Sequence, residues 1–116
     1  MPSPLKILFV CAMNKQRSVT AERLYRDDAR LQVRSAGVRP DAERRLSEAD
    51  LLWANVVFVM EREHKKLIHQ RFPHLQLPRI DVLDIPDDFE VMDPQLQEML
   101  RMTLDPEINH LLASME

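Results

Sequence analysis

Residues Lys6 to Glu22 read KILFVCAMNKQRSVTAE: an apolar run, a cysteine, a short polar loop and a helix-forming stretch that opens at Arg17-Ser18. Ile7, Leu8, Phe9 and Val10 are consecutive β-prone apolar residues with no polar alternation between them. That pattern belongs to a strand covered on both faces, as in a parallel sheet flanked by helices. Cys11 then stands at the strand's carboxyl end, the edge at which open α/β sheets bind ligands. The next helix brings its free backbone N–H groups and the positive end of its dipole to the same edge, so the loop between them suits an anion.

The residue types in that loop narrow the chemistry. A thiol attacks as its thiolate, a form favoured by a helix N-terminus with a guanidinium nearby. Arg17 supplies the cation, and its planar fork matches two oxygens of a phosphoryl group. The backbone amides of Ala12, Met13, Asn14, Lys15, Gln16 and Arg17 are expected to line the remaining oxygens as charge spreads over them. Ser18 is a candidate hydrogen-bond donor to the sulfur. Asn14 is the loop residue suited to a left-handed backbone, with an amide that ties the loop together.

These residues resemble the signature of the low-molecular-weight protein tyrosine phosphatases, a C-x5-R-S loop between the first strand and the first helix. Cys11, Asn14, Arg17, Ser18 and Glu22 carry the match. It continues with Ser35-Ala36-Gly37 after a second strand, VVFVM at residues 56–60 before a charged helix, and a late acidic loop, and so covers most of the chain. The sequence departs from the family at Met13, where a small residue is usual, at Gln16, where many members carry a second cysteine, and in a shorter stretch between Gly37 and Leu46. The resemblance implies a three-layer α/β sandwich around a central four-stranded parallel sheet, with the phosphate-binding loop after strand 1.

It also implies a reaction. Cys11 would attack phosphorus to form a cysteinyl-phosphate, Arg17 and the loop amides would hold the equatorial oxygens, and a carboxylic acid would protonate the leaving oxygen. Water would then hydrolyse the intermediate, with no metal or organic cofactor. The expected partner is a phosphotyrosine-containing protein or a small aryl phosphate, with inorganic phosphate as product. In the family the acid lies in an Asp-Pro-aromatic motif. Here the segment is Asp84-Ile85-Pro86-Asp87-Asp88-Phe89, with the proline ahead of the acid pair. The closest register puts Asp87 on the acid and Phe89 on the aromatic wall of the pocket; Asp88 is the second candidate and Asp84 the third. Phe89, Trp53 and Tyr25 are nevertheless all read as core residues before wall residues, Trp53 and Tyr25 more strongly than Phe89.

Composition bounds the alternatives. The 116 residues form one domain, 1–116, with apolar content for one core. The net charge of −3 and the interleaving of acids with bases give no footprint for nucleic acid. The apolar run Leu5 to Val10 is too short for a signal core or a membrane span, and the expected location is cytoplasmic. The lone cysteine excludes an internal disulfide. It also limits a second reading of this fold, arsenate reduction, to use of an external thiol; a third reading is a non-catalytic oxyanion-binding module.

The remaining pattern predicts a frayed start over residues 1–4, a helix over 18–30, an edge strand from Leu31 to Gly37 and a charged connector over 38–46. A capped helix opens at Ser47-Glu48-Ala49-Asp50. Then follow a buried strand over 56–60, a helix over 61–72, a strand over 79–85, and a helix after Asp93-Pro94 interrupted near Asp105-Pro106. Gly37, the only glycine, marks a positive-φ turn or a close backbone approach beside the loop. His64 and His69 are too far apart around a helix to share a metal, and the methionines at 92, 99, 102 and 115 read as core filling.

Overall fold

In the computed structural model of the chain, which describes residues 3–115, the opening apolar run becomes β1 (Leu5–Cys11). β2 (Leu31–Gly37) lies on one side of it, β3 (Val56–Val59) on the other and β4 (Arg79–Val82) beyond β3. The sheet order is β2-β1-β3-β4, with every pairing parallel. The helices are α1 (Arg17–Tyr25), α2 (Glu48–Trp53), α3 (Arg62–Arg71) and α4 (Pro94–Ser114).

The two-residue period of a strand divides the core between two faces. Leu5, Ile7, Phe9 and Cys11 join Ala21 and Tyr25 of α1 and Leu96, Leu100, Leu104 and Ile108 of α4. Leu8 and Val10 join Leu51 of α2 and Ile68 of α3. The result is the expected three-layer sandwich. Phe9 is fully buried and stacks between Tyr25 and Phe58, with ring centroids 6.2 and 6.1 Å away. Burial of one such ring contributes about 3 kcal/mol. Cys11 shares the parity of Phe9, so its side chain leaves the sheet on the side of α1. Strand parity thus aims the sulfur at that helix's N-terminus.

Several boundaries differ from those expected, each for a local reason. α1 ends at Tyr25 and not Arg30, because Asp28 accepts a hydrogen bond from the Arg30 amide (2.9 Å) and its carbonyl accepts from Leu31 N (3.0 Å), turning the chain into β2. β4 ends at Val82 and not Ile85. Asp84 takes a left-handed backbone (φ 57°), while Leu83 N and Ile85 N still donate to the carbonyls of Val59 and Met60 (both 2.9 Å). α4 is not interrupted: it runs through Pro106. The carbonyl that this proline leaves unpaired belongs to Met102, which is 72% exposed and so on the side where water can serve it. Met102 and Met115 are exposed and do not fill the core. The frayed start expected over residues 1–4 lies partly outside the described residues.

α2 has the predicted capping box, with Ser47 Oγ accepting from Asp50 N and Asp50 Oδ2 accepting from Ser47 N. Among the described residues, no helix is long and apolar enough to cross a membrane.

Candidate active site

Cys11 ends β1 and is buried, and the five residues that follow arch over it before α1 begins. Its Sγ lies 2.9 Å from Ser18 Oγ and accepts from the backbone N–H of Asn14 at 3.3 Å. Asn14 Nδ2 donates to the same Ser18 oxygen at 3.0 Å. That fixes a direction: Ser18 Oγ accepts from Asn14, so its own hydrogen is free to point at the sulfur. Asn14 reaches this position with φ 58°, the left-handed backbone expected of it. Among the described residues, the backbone N–H groups of residues 13 and 15–18 have no acceptor. Donors gathered in this way at a helix N-terminus form an anion cradle.

Arg17 is buried, and its Nη1 donates to Glu61 Oε2 and to the carbonyl of Ile85, both at 2.7 Å. Its Nε lies 3.7 Å from Asp87 Oδ1. The Nη1 side of the guanidinium is thus committed to protein, leaving the Nε and Nη2 donors for a ligand. Asp87 stands at that open edge. Asp88 makes no ion pair with Arg17 among the described residues, and Asp84 is turned away by its left-handed backbone toward α3, where it lines a surface groove. Phe89, two residues beyond Asp87, packs partly buried against the α1 and α4 core. Tyr25 and Trp53 belong to the cores on opposite faces.

Glu61 joins the site without having been singled out in the sequence, and so does His64, which was weighed there only as a metal ligand. Glu61 precedes α3 just past the end of β3, and its backbone N–H donates to Nδ1 of the buried His64 at 3.2 Å. The bond makes Nδ1 an acceptor, so the neutral ring carries its proton on Nε2, 3.7 Å from Glu61 Oε2. Burial, reinforced by the nearby Arg17 charge, pushes the pKa of His64 below its ordinary value despite the opposing effect of Glu61 and Asp87. A usable signal existed: in a parallel sheet, the residue just past β3 shares the ligand-binding edge with the residue just past β1.

The connector over residues 38–46 braces the loop from the other side. Val38 N donates to Cys11 O, Arg39 N to Ala12 O and Glu43 N to Met13 O, each at 3.0 Å. Gly37 does not have positive φ. Its role is close approach, since a Cβ there would lie 2.5 Å from Ala42 Cβ, 2.7 Å from Ala12 O and 2.9 Å from Met13 C. Behind the loop, Ser35 Oγ donates to Glu22 Oε1 at 2.9 Å, tying β2 to α1. The acidic loop is anchored in turn where Met92 N donates to Thr20 Oγ1 at 2.9 Å.

This arrangement is the fold of the low-molecular-weight protein tyrosine phosphatases. No protein-family model matches the sequence and no curated protein matches it, so the likeness is one of structure. The chain is similar to the low-molecular-weight protein tyrosine phosphatase from T. tengcongensis, at 20% identity and a TM-score of 0.74 over 91% of this chain and 99% of that one. It is similar to the YwlE arginine phosphatase from Geobacillus stearothermophilus, at 23% identity and a TM-score of 0.65 over 93% and 96% of the two chains. Vibrio vulnificus Wzb, solved in complex with benzylphosphonate, aligns at 19% identity and a TM-score of 0.69 over 97% and 99%.

Proposed function

We propose that this chain is a cysteine-dependent phosphatase that hydrolyses phosphotyrosine or small aryl phosphate monoesters through a cysteinyl-phosphate. The observation that carries the reading is the loop itself: one buried sulfur that accepts from Asn14 N and lies in contact with Ser18, within a ring of unpaired amides closed by Arg17. A sulfur placed as an acceptor suits the deprotonated nucleophile. Arg17 and the amides suit three phosphoryl oxygens.

In the first step the sulfur attacks phosphorus and the bond to the leaving oxygen breaks, while Asp87 gives that oxygen its proton. The S–P bond now holds the phosphoryl group, and Asp87 is a carboxylate. In the second step Asp87 takes a proton from water, the water oxygen bonds to phosphorus and the S–P bond breaks, releasing phosphate and restoring the thiolate and the acid. The assignment to Asp87 over Asp88 rests on its place at the open edge of Arg17. Phe89 supports an aryl group by its partial exposure beside that acid.

The test is metal-free hydrolysis from about pH 5 to 7 of phenyl phosphate, whose phenoxide is a poor leaving group, beside a nitrophenyl ester that needs less help. Asp87→Asn should lower kcat/KM, which reports the first step, about 100-fold or more on phenyl phosphate and much less on the nitrophenyl ester, while Asp88→Asn should stay within about threefold of wild type. A larger loss in Asp88→Asn would reassign the acid. Faster turnover of phosphoarginine than of either ester would overturn the substrate class and leave the cysteine chemistry standing.

A further inference from the structure

Beside the catalytic loop, α3 carries Arg62, Lys65, Lys66 and His69, a spacing of i, i+3, i+4 and i+7 that places all four on one helix face. With Val82 and Asp84 at the end of β4 they line an open groove of about 540 Å³. Among the described residues, none of the three cations has a carboxylate partner within ion-pair distance. The groove's residues are also close in sequence to the two that hold Arg17. The helix wall starts one residue after Glu61 and the strand wall ends one residue before Ile85, the two partners that hold Arg17.

We propose that this groove docks an acidic segment flanking the phosphorylated residue of a protein substrate, which extends the phosphatase reading and rests on it. Three cations against the single carboxylate of Asp84 leave the groove positive in a chain whose net charge is −3. The acids at 87, 88 and 90 follow Ile85 in the chain, and none of them lines the groove. A bound segment would therefore gain by running its negative side chains along α3, away from that loop. The phosphoryl group sets where the chain is cut, and the groove sets which chains are held.

The experiment compares two phosphotyrosine peptides of equal length, one with aspartate and glutamate flanks and one with glutamine and alanine flanks. The proteins are wild type and the double variant Lys65→Glu, Lys66→Glu. Wild type should show a KM about 10-fold lower for the acidic peptide at low ionic strength, with little of that advantage left in about 0.5 M salt. The double variant should lose the advantage and keep wild-type kcat/KM on nitrophenyl phosphate, which has no flank to dock. Equal KM values for the two peptides in wild type, or an advantage that survives the double substitution, would overturn the proposal. So would tighter competition by a single-stranded oligonucleotide than by the acidic flank supplied as a free peptide.

Binding of the same peptides to Cys11→Ser protein separates the two readings. Flank-dependent binding without turnover in wild type would sustain the groove and remove the phosphatase. Turnover without flank dependence would do the reverse.

Discussion

Arg17 shows how one side chain is divided between fold and site. Its Nη1 is held by Glu61 and the Ile85 carbonyl, so only its outer edge is left for a ligand, under the proposed function a phosphoryl group. Removing the carboxylate should let the guanidinium swing, and misplacement of a clamp by about an ångström costs up to about 100-fold. Glu61→Ala is expected to lower kcat/KM on an aryl phosphate about 10- to 100-fold, whereas Glu61→Gln, which keeps an acceptor oxygen, should lose less than about 10-fold. Steady-state kinetics would settle this, and an unimpaired Glu61→Ala would show that Ile85 alone suffices. The stability cost should be small because Glu61 is 47% exposed. At this scale legibility followed distance along the chain. Cys11, Asn14, Arg17 and Ser18 could be read because they are consecutive parts of one loop with one chemistry. Glu61 lies 44 residues from Arg17, and nothing local in the sequence ties it to the guanidinium.

Among the elements, the decisive contact is between the end of β2 and the loop after β1. The connector's amides take the carbonyls of residues 11–13, and Gly37 lets the two backbones approach. A methyl group at position 37 would press on loop backbone, which cannot yield as a flexible side chain would. Gly37→Ala should therefore cost about 1–3 kcal/mol of stability, measured from the urea midpoint, and reduce turnover by moving residues 12 and 13. Wild-type values for both would contradict this account of the glycine. β1 and β3 were readable from continuous apolar runs, β2 from alternation, and the α2 cap from a four-residue capping pattern. The ends of α1 and β4 were not, because they are set by an Asp28 side-chain turn and a left-handed Asp84 that periodicity does not register. The unbroken α4 likewise reflects tertiary packing: Leu96, Leu100, Leu104 and Ile108 hold one buried stripe across Pro106.

For the molecule as a whole, the site is part of the stability balance. His64 is buried beneath it and its pKa is held below the unfolded value of about 6.5. Between the lowered and the unfolded value, the unfolded chain binds more protons than the folded one, so acidification through that window favours unfolding. The urea midpoint of wild type should fall more steeply from about pH 7 to 5 than that of His64→Gln, while the carboxylates contribute alike to both. Parallel slopes would mean that the folded histidine titrates normally. The same burial that costs stability in acid keeps a neutral ring against Glu61, behind Arg17. The claim on which all of this depends is that Cys11 carries the phosphoryl group. Rapid quenching during turnover of an aryl phosphate, followed by mass spectrometry, should find phosphate on Cys11 alone, with a burst of aryl alcohol and no turnover in Cys11→Ser. Hydrolysis that persists in Cys11→Ser, or folded wild-type protein that binds phosphate yet forms no phosphocysteine, would contradict it.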